Sequence, residues 1–279
     1  AGVFNIGGEG QLLLGAVAAT VVGLEWSPSL GAAGVVVALV AGAAGGAAWA
    51  GIAAVLRMRF GVLEVISTIM LNFVAANLVA YLVRGPLQEP SGVYPQTDLI
   101  SVSTRLARFS PDSRLHLGAV LAIGVCVVAW WFLARTAAGF RVRAVGASST
   151  AAAVTGGVDV SRVAAGTLIL SGALAGLAGG VEVAGVTYAL YENLSPGYGF
   201  SAIAVAILAR LHPLAVLATA VLFAALETGA LGMQRDAGVP SVVAAALEAI
   251  VILLAVSLDR RTLPSFRSGA IGMARADAA

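Results

Sequence analysis

Glu64, Ser67, Thr68 and Asn72 are polar side chains within a largely apolar run at residues 62–83. Glu64, Thr68 and Asn72 fall at i, i+4 and i+8, so a helix places them on one face with Ser67 beside them. Polar groups at membrane depth are costly, and they ordinarily face a cavity or the bundle interior. The residues admit two roles: lining for a hydrophilic solute path, or hydrogen bonding between helices, with Glu64 close to a membrane surface. A second polar set, Asn5, Glu9 and Gln11, stands in a glycine-rich opening just ahead of an apolar run. A loop followed by a half-helix can aim backbone N–H groups at a polar ligand. The same residues also suit an ordinary helix start, where Glu9 favours the dipole. Glu182 closes a later apolar run, ahead of a loop with Tyr188, Tyr191 and Tyr198, which suit either bilayer anchoring or ligand contact. Glu227 and Glu248 are flanked by apolar residues and are expected to pair helices.

No catalytic constellation emerges. The two histidines, His116 and His212, and the single cysteine, Cys126, form no metal-ligand pattern and no intrachain disulfide. The dispersed acids lack the clustering that an intramembrane enzyme needs. All sixteen basic residues are arginine, which excludes a phosphate-binding loop with its lysine and a lysine Schiff base. No cofactor and no metal are expected. A net charge of +2 gives no basic patch for nucleic acid.

The elements that must position these residues are membrane spans. The chain is 59% hydrophobic and 11% charged, against about 25% charged in a soluble domain. Crossing the hydrocarbon core takes about 20 apolar residues. Stretches at 11–24, 30–56, 62–83, 115–134, 163–183, 200–209, 213–229 and 241–258 qualify, the first and sixth being short. These two are expected to be broken or re-entrant helices, tolerated where they face protein or a wet cavity. The fold class is therefore an all-α polytopic membrane protein with about eight transmembrane or re-entrant helices. Gly172, Gly176 and Gly180, like Gly42 and Gly46, recur at four-residue spacing, which lets helix backbones approach closely.

Alternating the spans puts Arg57, Arg59, the segment 135–162, Arg210 and the tail 259–279 on one side, with eleven arginines. The other side holds five: Arg84, Arg105, Arg108, Arg114 and Arg235. The richer side is expected to be cytoplasmic. Residues 1–258 then form the transmembrane domain and 259–279 a cytoplasmic tail. The proline-bearing loop 84–114 is extracytoplasmic and suits an external partner. Segment 135–162 is cytoplasmic, either as a docking surface for a soluble partner or as an ordinary loop.

Four motifs carry a resemblance: FNIGGEGQLLLGA at 4–16, EVISTIMLNF at 64–73, GFRVRAVGASSTAAAVTGG at 139–157 and GFSAIAVAILARLHPLA at 199–215. In this order they resemble ABC-importer permeases of the branched-chain amino acid and simple-sugar permease superfamily. The first two together look most like the nucleoside-type permeases. The resemblance implies about ten helices in a full-length subunit, with two expected ahead of Ala1. It implies ABC ATPase subunits, a second permease subunit and an extracytoplasmic substrate-binding protein, often a lipoprotein, with lipid around the spans. The polar residues Asn5, Glu9, Gln11, Glu64, Ser67, Thr68, Asn72 and Glu182 are the expected substrate path, and the resemblance implies ATPase coupling through Gly139, Arg141, Arg143, Ala144, Val145 and Gly146. Ser148 and Ser149 depart from the family's pattern in that element. The implied function is ATP-driven import of a nucleoside by alternating access, with hydrolysis on the partner subunits. A simple-sugar permease and an ion-coupled secondary transporter are the alternatives.

Overall fold

A computed structural model describes residues 1–26, 31–110, 115–238, 242–243, 246 and 249–250. Two compact units divide the chain, Ala1–Ile203 and Ala204–Ala279. The expected span at 241–258 (with Glu248) falls largely outside the described residues, and Arg114 and the tail 259–279 do so entirely.

The first unit opens with an irregular segment, residues 1–7, that leads into α1 (Gly8–Glu25). Helix α2 (Gly34–Phe60) ends with Arg57 and Arg59 in its last turn, where cations favour the dipole. Gly61 then stops it at φ +65°, a left-handed backbone that glycine adopts without a Cβ penalty. Helix α3 (Glu64–Val83) follows at once with an acid in its first turn. Among the described residues five helices are long and apolar enough to cross a membrane, α2 and α3 among them.

Beyond α4 (Gly118–Arg135) the chain is punctuated by side-chain caps. Thr136 ends α4 and accepts the Gly139 N–H at 3.0 Å to start α5 (Ala137–Ala147). Ser148 likewise accepts the Ala151 N–H at 3.2 Å to start the short α6 (Ser149–Val154). Asp159 accepts the Arg162 N–H at 3.0 Å to open α7 (Val160–Glu182). Such caps contribute about 1 kcal/mol each and fix where one helix ends and the next begins. The end of α7 widens into a π turn, Val183–Thr187, closed by Tyr188 at φ +58°.

The core of this unit is α1, α2 and α7, brought together by glycine. Gly172 and Gly176 of α7 lie against Gly46 and Gly42 of α2, and Gly15 of α1 lies against Gly176. A methyl group at any of these would strike backbone. The expected α7 stripe shifts at its far end: Gly179 presses on the Leu12 carbonyl, whereas Gly180 meets Ala19 and Leu39 only at ordinary contact distance. Between helices in lipid there is no hydrophobic driving force, so close backbone packing of this kind supplies much of the association.

The loop after α3 is tied to the α7 end of the bundle. The Thr97, Ile100 and Leu106 amides donate to the Leu190, Tyr188 and Ala184 carbonyls at 2.8–2.9 Å. Ile100 and Leu190 are fully buried beneath it. Arg84 pairs with Glu192 at 2.6 Å, and Arg105 and Arg108 lie over the Tyr188 ring at 4.7 and 5.4 Å. Helix α8 (Tyr198–Leu208) begins in the first unit and runs into the second. The second unit continues with α9 (Ala215–Ala237), where Thr219 donates to the Val205 carbonyl at 3.2 Å.

Candidate solute path and coupling element

The irregular opening, residues 1–7, is held among the helices by amides. Asn72 lies eight residues into α3, about 12 Å along its axis. Its Oδ1 accepts the Gly10 N–H at 2.9 Å, and its Nδ2 donates to the Ile6 carbonyl at 2.9 Å. Asn5 and Gln11 exchange bonds, 2.7 Å from Asn5 Nδ2 to Gln11 Oε1 and 2.9 Å from Gln11 Nε2 to Asn5 Oδ1. Asn5 Nδ2 also donates to Ser171 Oγ of α7 at 2.9 Å. Its Oδ1 further accepts the Gly7 N–H at 3.0 Å. The backbone polar groups of a non-helical segment need such partners wherever water is absent.

Glu9 completes the arrangement from the other side. Its carboxylate is buried and accepts the Gly199 N–H at 2.7 Å, within the first turn of α8. Gly8 and Gly199 are in backbone contact, so the N-termini of α1 and α8 meet with one carboxylate between them. Both positive helix ends favour that charge. The short first and sixth apolar stretches are thus two helices that start at the same place inside the bundle.

The structure therefore gathers Asn5, Glu9, Gln11 and Asn72 into one network. Ser171 and Gly199 belong to it and were not singled out from the sequence. Their only sequence signals are a hydroxyl in an apolar run and a glycine just past the tyrosine loop. Thr68 is buried beside Gly7, but its hydroxyl donates back to the Glu64 carbonyl at 2.6 Å. Ser67 is also turned inward and bonds back to its own helix. Glu64 sits at the first turn of α3 and pairs with Arg57 at 2.7 Å. Glu182 stands apart, at the end of α7 next to the π turn, and its carboxylate takes no hydrogen bond among the described residues. Burial and that carboxylate hold the Tyr191 phenol above its usual range.

The segment 135–162 forms an angled pair, α5 and α6, enclosing an apolar groove of about 480 Å³ lined by Phe140, Arg141, Ala144, Ala151 and Val158 among others. Gly139 is buried against the Phe132 carbonyl, and Val145 is buried too. Arg141 and Arg143 are exposed; two positions apart on a helix, they point about 200° away from each other. Arg141 edges the groove and Arg143 does not. Phe140 is 63% exposed at its rim.

Apolar helices with irregular backbone held between them, and two helices that start at one place within the bundle, are features a transport permease would show. The chain belongs to the family described as branched-chain amino acid transport system / permease component, whose model matches residues 1–256. It is 37% identical over 262 residues to the guanosine ABC transporter permease protein of Bacillus subtilis, covering 92% of this chain and 74% of that protein. It is 36% identical over 270 residues to a glucose ABC transporter permease protein of Haloferax volcanii, covering 93% and 70%. A nucleoside ABC transporter permease protein of Lactococcus lactis is 30% identical over 264 residues, covering 91% and 72%. No solved structure matches. The chain is thus a multi-pass plasma-membrane permease subunit of an ABC transporter and not an enzyme, and such a permease works with ATPase and substrate-binding partners.

Proposed function

We propose that this subunit carries a nucleoside into the cell by alternating access, paired with a second permease subunit and driven by ATP hydrolysis on partner chains. The observation that carries this reading is the meeting of the α1 and α8 starts, where irregular backbone, read as lying at membrane depth, is held by Asn5, Glu9, Gln11 and Asn72. Irregular backbone at that depth belongs beside a path or a moving joint. The network residues hold the frame of the path from behind, and α3 forms one wall, with Glu64, Ser67 and Thr68 on its bundle side. Glu182 stands at the extracytoplasmic end, under the loop 84–114, which suits the substrate-binding lipoprotein.

The α5–α6 pair in segment 135–162 is the cytoplasmic coupling element. Gly139 and Val145 seat it on the bundle, while Arg141, Arg143, Ala144 and Gly146 face or border the ATPase. The guanosine and nucleoside permeases among the relatives favour a nucleoside; the glucose permease, nearly as similar, favours a sugar as the second reading. The test is uptake by the complete complex in proteoliposomes offered labelled guanosine or labelled glucose. Accumulation of guanosine is expected, and accumulation of glucose alone would overturn the substrate.

A further inference from the structure

Helix α3 has two unlike faces. The face turned to α1 carries Ser67, Thr68, Asn72, Ala75, Val79 and Val83, all buried. The opposite face carries Met70, Phe73, Asn77 and Tyr81, which are exposed at 54% for Met70, 63% for Phe73 and 67% for Tyr81. Asn77 lies about 140° around the helix from Asn72 and about 20 Å from the α3 start, well inside a bilayer's thickness.

Asn77 donates one N–H to the Phe73 carbonyl at 2.8 Å. Its Oδ1 and second N–H take no partner among the described residues. An amide with open hydrogen-bonding capacity is costly against lipid tails, so this face looks toward a polar ligand, a polar cavity or another protein chain. Phe73 and Tyr81 flank that amide one turn below and one turn above, about 6 Å away along the axis.

Packing chemistry decides between the remaining occupants. Where helices of this chain meet closely, the contact residues are Gly15, Gly42, Gly46, Gly172 and Gly176. The exposed α3 face instead offers methionine and two aromatic rings around one amide. An aromatic ring next to a free amide matches a flat heterocycle whose faces are apolar and whose edge carries donors and acceptors. Three residues beyond Tyr81, Arg84 begins the polar loop, so the face opens at that end toward water.

We propose that Phe73, Asn77 and Tyr81 on this face of α3 contact the nucleobase of the transported nucleoside, Asn77 bonding its edge and one aromatic ring stacking on it. The proposal rests on the nucleoside reading given above. It separates the residues that hold the path's wall in place, centred on Asn72, from those that touch the solute.

The test uses the complete complex, with its ATPase and binding protein, reconstituted on a Cys126→Ala background. Asn77→Cys is exposed to a charged, water-soluble methanethiosulfonate, with and without guanosine. Labelling is expected, and guanosine is expected to slow it at least about threefold. Phe73→Leu and Tyr81→Leu are expected to raise the KM for guanosine about tenfold, with complex stoichiometry unchanged and Phe73→Trp restoring uptake. Absence of labelling at position 77 overturns the proposal, since the face then looks to lipid or sits in a sealed contact. So does loss of the second permease subunit from the Phe73→Leu or Tyr81→Leu complex, which marks a subunit seam. A wild-type complex that takes up glucose but no guanosine overturns the substrate reading and this contact together, and is recognised before any variant is made.

Discussion

Replacing Asn72 with leucine removes two hydrogen bonds while keeping the branching and heavy-atom count of the side chain. The Gly10 N–H, in the first turn of α1 where no helical partner exists, and the Ile6 carbonyl, in the irregular opening, both lose their partner. Stranding a buried backbone group costs about 1–3 kcal/mol. Hydrogen bonds in membrane proteins average nearer 0.6 kcal/mol, because the unfolded state in lipid finds partners too. Asn72 satisfies a helix-start N–H and an irregular-backbone carbonyl that have no other partner among the described residues, so the higher range applies and the sum is about 2–6 kcal/mol. Asn77→Leu is the internal control. Its only bond returns to its own helix, so the expected change is within about 0.5 kcal/mol. The assay is the unfolding free energy of the purified protein in bicelles, with proteolysis of the opening segment as a second readout. Equal stability of the Asn72→Leu variant and wild type would refute the claim that this side chain holds the segment.

Gly176→Ala should destabilise the protein by about 1–3 kcal/mol or more, seen as a lower melting temperature in detergent, because its methyl group meets the backbone of Gly42 and Gly46. Gly166→Ala, which faces open space, should not. Burial and nearby Arg108 hold the His116 imidazole below its usual pKa, and its Nδ1 accepts the Gly118 N–H at 3.0 Å. The neutral form is favoured in the fold, so this contribution is complete above about pH 6.5 and is lost as pH falls through the depressed value. The drop in melting temperature from pH 7.5 to 5 should therefore be smaller in His116→Asn than in wild type. Arg141→Glu should abolish substrate-stimulated ATP hydrolysis by the complex in proteoliposomes, because Arg141 borders the α5–α6 groove. Arg143→Glu, on the far side of α5, should weaken it less, and the double reversal should match Arg141→Glu.

Much of the scaffold was legible in the residues. Apolar length placed α2, α3, α4, α7 and α9 within a few positions, and Thr136, Ser148 and Asp159 carry the chemistry of helix starts. The polar stripe at Glu64, Thr68 and Asn72 was legible as a shared face, and the pattern could not show what that face meets. Asn72 finds backbone atoms more than sixty residues earlier in the chain, and Glu9 finds an amide 190 residues later. Such pairings follow from tertiary packing, which periodicity does not encode. The same holds for Gly179, which displaces Gly180 from the tight contact because α7 turns that side toward α1. Asn77 escaped attention since it stands off the i, i+4 stripe, on the face whose exposure only the fold reveals.

As proposed, this permease moves a nucleoside using energy delivered from outside the chain. The direct measurement is guanosine accumulation by the reconstituted complex with ATP, with a non-hydrolysable ATP analogue, and with ATP plus a protonophore. Accumulation is expected with ATP, unchanged by the protonophore and absent with the analogue. Accumulation that persists with the analogue but collapses with the protonophore would make the chain an ion-coupled transporter and contradict the account.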